Sequence, residues 1–200
     1  MQAEPLRARE FITEAIKTGL APMMKRHGFR KTGFNFTRRQ GSVVHVLNVQ
    51  LSQWNQGSEG RFYVNVGVMF DDLKRLRGQE PVERPAYTDC EFMARWHQLD
   101  ERLLQSVGVD AATTDAAEFS AWLATQVETV FVLPLNAVSS TEDFAKTGWV
   151  DLVPWGFPAA WHYATGRRDE ARRLVQREAD TFADRGCTFD SVAKKFGLRF

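Results

Sequence analysis

Residues 41–70, GSVVHVLNVQLSQWNQGSEGRFYVNVGVMF, constrain the fold more than any other stretch. Two runs rich in β-branched and aromatic residues flank a polar loop bearing Gly57 and Gly60. In a strand, successive side chains point to opposite faces. In the first run His45, Leu47, Val49 and Leu51 share one face, and Val46, Asn48, Gln50, Ser52 and Trp54 share the other. In the second, Phe62, Val64, Val66, Val68 and Phe70 oppose Tyr63, Asn65, Gly67 and Met69. Two neighbouring strands, each with an apolar and a largely polar face, are the pattern of an antiparallel sheet covered by helices on one side only.

The flanking segments fit that plan. Residues 4–25 carry Leu6, Phe11, Ile12, Ile16, Leu20 and Met24 at helical spacing, with Pro5 in the first turn and Gly28 at the C-terminal cap. Pro22 falls inside this helix and predicts a kink or a restart there. Residues 29–39 alternate as a first strand and turn at Gly41. A short helix follows Asp71, and residues 89–97 alternate as a fourth strand. Residues 101–109 fit either a short helix or a last strand. Thr114 or Asp115 caps a helix with the stripe Phe119, Trp122, Leu123, Val127, Val130 and Phe131, which Pro134 interrupts. Ser140 caps a shorter helix, and a ring-rich loop, WVDLVPWGFP, comes next. From Pro158 the chain reads as a helical hairpin turned at Gly166, similar in its small-residue spacing to one tetratricopeptide-like helix pair. A last short helix starts from Asp190 or Ser191 and stops at Gly197. The expected fold is α+β: an antiparallel sheet of about four strands covered by helices on one face, with a C-terminal helical hairpin. Residues 1–150 form the sheet domain, and residues 151–200 form a helical extension packed on the same domain.

Composition narrows the function classes. Two hundred residues with 44% hydrophobic content can bury a core without a metal or disulfide staple. A net charge of +1 gives no strong nucleic-acid signal. Cys90 and Cys187 are far apart and lack a CxxC partner, so they read as two reduced thiols. No run approaches the roughly 18 apolar residues of a membrane span, and the N-terminus lacks the pattern of a leader. The expectation is a cytoplasmic protein that needs no cofactor.

The candidate site is the polar face. Asn48, Gln50, Ser52 and Asn65 form a cross-strand array of amides and hydroxyls, which Asn35, Thr37 and Arg39 of the first strand can join. Arg95 of the fourth strand adds a planar donor fork, and Trp54, Arg61 and Tyr63 sit toward the edge. The alternative is a plain solvated face. Residues 56–61 carry glycines that can cradle an anion, yet no helix and no Lys-Ser/Thr pair follows, and Glu59 repels one. Asp71, Asp72, Glu91 and His97 offer an oxygen-rich set for a cryptic metal-assisted hydrolase. The four histidines show no HxH or HExxH spacing, and there is no GxSxG. Arg167, Arg168, Arg172, Arg173 and Arg177 are interleaved with Asp169, Glu170 and Glu178, which reads as a solvated, salt-bridged helix face.

One resemblance covers residues 12–144. GFRKTGFNFTRR, then VVHVLNVQLSQWN, then GRFYVNVGV resemble in order an uncharacterised, mainly bacterial family, domain of unknown function 4304. The matching positions are Gly28, Phe29, Gly33, Phe36, Arg38 or Arg39, Gln50, Ser52, Asn55, Arg61, Phe62, Asn65 and Gly67, followed by Cys90, Arg95, Leu133 and Pro134. The resemblance implies an α+β sheet-and-helix domain and no known activity. The functional expectation is therefore a binding module that presents the polar sheet face to a protein partner or a small polar ligand. The metal-assisted hydrolase is the alternative. A third possibility is a scaffold that oligomerises through the C-terminal hairpin.

Overall fold

In the computed structural model, which describes residues 7–152 and 156–200, the expected helix start at Glu4 and Pro5 lies outside the described residues. So does the middle of the ring-rich loop, residues 153–155. The first helical element is α1 (Ala8–Ala15), a π turn (Ile16–Leu20) and α2 (Ala21–Arg26) in succession. Pro22 explains the π turn. Its ring would clash with the carbonyl four residues back, and it has no N–H to donate. Widening the preceding turn relieves both, and Ala21 N bonds Ile16 O across it.

The sheet contains β1 (Arg30–Thr32), β2 (Asn35–Gln40), β3 (Val43–Leu51), β4 (Glu59–Phe70), β5 (Phe92–Arg95) and β6 (Val107–Asp110). They run β1-β2-β3-β4-β5, with β6 also on β4. Six strands stand where about four are expected, for two reasons. The expected first strand is broken by Gly33, whose φ of +59° folds it into a tight hairpin pairing Arg30 with Thr37 and Thr32 with Asn35. The segment left open between helix and strand ends in β6, which pairs antiparallel with β4 from Glu59↔Asp110 to Phe62↔Val107. The expected fourth strand is only β5, flanked by a 3₁₀ turn (Tyr87–Asp89) and by α4 (Trp96–Leu99).

The remaining helices are α3 (Asp71–Leu76), α5 (Ala116–Val127), α6 (Leu133–Leu135), α7 (Thr141–Ala145), α8 (Gly156–Ala164), α9 (Arg168–Thr181) and α10 (Phe189–Lys195). Asp115 caps α5 by accepting from Ala117 N and Glu118 N, and Ser140 caps α7 by accepting from Asp143 N. Thr188, rather than Asp190 or Ser191, caps α10. A second π turn (Glu128–Val132) precedes Pro134 as the first precedes Pro22, so the apolar stripe continues through the proline.

The chain forms two compact units. The first contains the chain up to Arg38, His45–Val66 and Ala94–Ala137. Its core places Phe62 of β4 edge-on to Phe119 of α5, which also meets Phe11 of α1. The second contains Arg39–Val44, Gly67–Met93 and Val138–Phe200. There Phe70 packs on Phe144 and Phe157, and Phe92 stacks on Trp149 with ring centroids 5.8 Å apart. In each unit, helices cover the face of β4 that carries its phenylalanines.

Candidate functional site

The polar face of β2, β3 and β4 carries a chain of side-chain amides in the first unit. Asn48 Nδ2 donates to Asn35 Oδ1 at 2.8 Å. Asn65 Nδ2 donates to Asn48 Oδ1 at 3.0 Å and to Gln50 Oε1 at 3.1 Å. Each link joins neighbouring strands, as side chains on one face of an antiparallel sheet do. Asn65 is only 4% exposed, whereas Gln50 is exposed and Asn35 and Asn48 are half-buried. The buried member thus spends both amide hydrogens on its neighbours, and the outer members face solvent.

A cleft of about 450 Å³ opens beside this array, lined by Asn35, Asn48, Gln50, Ser52, Asn55 and Arg9. The early end of β2 creates it. Val49 N donates to Phe34 O at 3.0 Å, and there the chain turns away at Gly33. Residues alternate in the neighbour they bond, and Ser52 N bonds Arg61 O toward β4. Leu51 therefore turns its peptide group toward the side that β2 has left, into the cleft it lines.

The other expected site residues lie outside the array, and Arg61 and Tyr63 sit on β4, an interior strand rather than an edge. Ser52 Oγ accepts from Trp54 N, and the Trp54 ring beyond it is 77% exposed. Arg61 is exposed, and its N–H is held by Asn55 Oδ1 at 2.8 Å. Arg95 does not join the amides. Its guanidinium lies 4.2 Å from the centre of the Tyr63 ring, so the two form a cation–π pair. Thr37 makes no side-chain hydrogen bond to the array, and Arg39 ion-pairs with Asp71 in the second unit at 2.7 Å. Arg9 is the residue that sequence reasoning missed. It lies on α1, and what brings it here is tertiary: Ala8 N bonds Gly57 O, and a Cβ on Gly60 would stand 2.5 Å from Ala8 Cβ.

In the second unit the corresponding face of β4 is closed. Gly67 and Met69 share it by alternation, and Met69 is fully buried. A Cβ on Gly67 would meet Cys90 Sγ at 2.7 Å. Burial, reinforced by the Glu91 charge, pushes the Cys90 thiol far up, so it is a packed, protonated group.

The acidic residues singled out by sequence have structural work. Asp72 accepts from Thr141 Oγ1 at 2.7 Å. Glu91 is buried, accepts from Phe70 N, and lies 3.0 Å from Lys74 Nζ. His97 belongs to the first unit. Among the described residues no group of three or more His, Cys, Asp and Glu is placed to hold a metal ion. The loop at residues 56–60 is drawn into the fold: Gln56 bridges Glu59, and Ser58 O accepts from Ala111 N. The arginines at and after the start of α9 depart from the salt-bridged reading. Arg173 pairs with Glu170, but Arg167 lies over Trp161, Arg168 over Tyr163 and Arg172 over Phe189 and Phe200.

A sheet whose outer face carries linked amides, with a strand end exposed beside it, defines a class of α+β sheet domain with a polar recess. The family model described as domain of unknown function (DUF4304) matches residues 20–137, so the chain belongs to that family. The match spans β1 to β6 and all the expected ligand-binding residues, and stops before α7. No curated protein and no solved structure matches the chain. Among the described residues, no helix is long and apolar enough to cross a membrane.

Proposed function

We propose that the chain is a binding module that takes a small polar ligand, or an extended polar segment of a protein partner, in the recess beside the amide array. The observation that carries the reading is the relay Asn35–Asn48–Asn65–Gln50, anchored by a nearly buried amide and ending in half-buried and exposed ones. Amides offer donors and acceptors together, and their mutual bonds fix which group points outward. Arg9 supplies a charged fork for a carboxylate, and the Leu51 peptide group supplies a backbone donor and acceptor. We place the module in the cytoplasm, where free cysteines such as Cys90 and Cys187 stay reduced. The hydrolase reading has weaker support, because Asp71, Asp72 and Glu91 are engaged by Arg39, Thr141 and Lys74.

Titration of ¹⁵N-labelled protein with free amino acids, dipeptides and small dicarboxylates tests the reading. The expected result is saturable movement of the side-chain amide signals of Asn35, Asn48 and Gln50, lost in Arg9→Ala for the carboxylate members. A panel that leaves these signals unmoved, or that moves only signals elsewhere, would sink it.

A further inference from the structure

A recess in the second unit has a different chemistry. It is a cleft of about 1000 Å³ where the end of α3, one face of α8 and α9, and α10 with the chain after it converge. Arg75, Arg77, Arg172, Lys194 and Arg199 line it, and Asp190 is the one acidic side chain among its lining residues. Arg77 is accounted for: it lies 3.6 Å from Glu91 and over the Phe196 ring. The other four are exposed, and among the described residues none has a carboxylate within ion-pairing distance. With a net charge of only +1 for the whole chain, four uncompensated cations in one concavity are a local concentration, not a general basicity.

The chain fixes this concavity by close packing. Gly197 takes φ +69°, Leu198 N bonds Ala193 O at 2.9 Å, and Gly197 N bonds Lys194 O at 3.1 Å, which closes α10 as a Schellman cap. A Cβ at Gly197 would stand 2.9 Å from Arg77 Cα, so the end of α10 lies directly against the end of α3. Arg199 is held next to α8 by two bonds between its backbone and the Tyr163 hydroxyl. The floor is aromatic: Tyr163 and Phe189 both meet Phe200, an exposed residue. Arg172 lies 5.1 Å from the centre of that ring, with its remaining donors free to meet an anion.

We propose that this cleft binds a nucleoside polyphosphate. Arg75, Lys194 and Arg199 meet the phosphates, and the exposed ring of Phe200 takes the base. Several cations around one cavity fit clustered phosphate charge, and guanidinium forks match phosphate oxygens in pairs. The volume lies at the upper end of the range of small-molecule sites. The ring beside the charges favours a ligand with a flat apolar part over inorganic phosphate. Most of the cleft comes from residues beyond 137, outside the family match, so it is a property of this chain's C-terminal part.

Calorimetric titration with ATP, ADP, adenosine and tripolyphosphate at two salt concentrations tests the proposal. The expected order is ATP above ADP and tripolyphosphate, with adenosine undetectable and affinity falling as salt rises. Lys194→Glu/Arg199→Glu and, separately, Arg75→Glu should each weaken ATP at least tenfold, with the circular dichroism melt confirming folded protein. Gln50→Ala, in the other unit, should leave ATP affinity unchanged. No heat with ATP, an affinity that survives both charge reversals, or binding of a single-stranded oligonucleotide without ATP would overturn the proposal. Since the amide recess shares no residue with the cleft, either result leaves the sheet reading to its own test.

Discussion

Arg38 donates to Nδ1 of His45, at 3.3 Å from Nε and 3.1 Å from Nη2, inside a pocket where the imidazole has no exposed surface. A guanidinium can only donate, so Nδ1 is an acceptor and the ring carries its proton on Nε2. The same guanidinium donates to His27 O, Leu135 O and Asn136 Oδ1, and lies 4.6 Å from the centre of the Phe29 ring. One side chain thereby ties the end of α2, strand β3 and the end of α6 together within the first unit. Burial lowers the Arg38 pKa without threatening its charge.

Replacing Arg38 with lysine keeps the charge but loses the planar fork. A lysine cannot reach four acceptors in different directions, and buried acceptors left unpaired cost about 1–3 kcal/mol. Arg38→Lys should lower the unfolding free energy in urea by about 2 kcal/mol, and Arg38→Ala by more. Equal stability of the lysine variant and the parent would show that the fork is not what holds these elements.

The position of Arg38 shows what could be read from the sequence and what could not. Alternation on β3 and β4 was legible, because burial on one face leaves a period of two whatever the rest of the fold does. Alternation puts His45 on the apolar face, where it is fully buried, but the Arg38 that bonds it lies on another strand. Gly33 is invisible as a break, since one glycine in a strand pattern signals a bulge as readily as a turn. Pro22 and Pro134 announced an interruption without saying that a π turn would absorb it. Arg9 reaches the amide recess through the seat of Ala8 on Gly60, which no local pattern encodes. The arginines at 167–177 have carboxylates nearby in sequence, yet Arg167, Arg168 and Arg172 lie on rings that only the tertiary fold supplies.

Gly19 sits where the first π turn crosses α5. A Cβ there would stand 2.3 Å from Ser120 O and 2.8 Å from Ser120 C, both backbone atoms that cannot swing aside. The gain in helix propensity from alanine is at most about 1 kcal/mol. Overpacking a rigid contact costs about 1–3 kcal/mol, so the contact decides the sign. Gly19→Ala should be destabilising by about 1–2 kcal/mol in urea melts. A stabilised variant would show that α5 can retreat without loss.

Asp143 links stability to pH. It accepts from Ser139 N at 3.1 Å and from Ser139 Oγ at 2.9 Å, and these bonds, with Ser140 and Lys146 nearby, bring its pKa down to about 2. A depressed carboxylate favours folding wherever it is ionised in both states, and that contribution fades as pH falls through the folded value. Asp143→Asn should therefore melt below the parent at every pH above about 4, the ordinary range for aspartate. The gap should close between about pH 4 and pH 2. Melting curves of both proteins from pH 2 to 7 decide it, and a gap that persists unchanged at pH 2 would assign the effect to something other than ionisation.

Asn65 tests whether the amide array behaves as one unit. Its Nδ2 group donates to both Asn48 Oδ1 and Gln50 Oε1, so Asn65→Asp sets a carboxylate against two carbonyl oxygens. Relief requires both neighbouring amides to flip and donate. For Gln50, which is exposed, the flip costs little. For Asn48 it turns the carbonyl toward Asn35, whose own oxygen faces it now, so Asn35 must flip as well. The side-chain amide signals of Asn35, Asn48 and Gln50 should shift together in Asn65→Asp, with a stability loss of about 1 kcal/mol for the buried rearrangement. In Asn65→Ala the donor is lost and nothing repels, so Asn35 should hardly move. If Gln50 alone responds to the aspartate, the amides act as separate pairs. A ligand meeting the outer members would then feel no influence from the buried one.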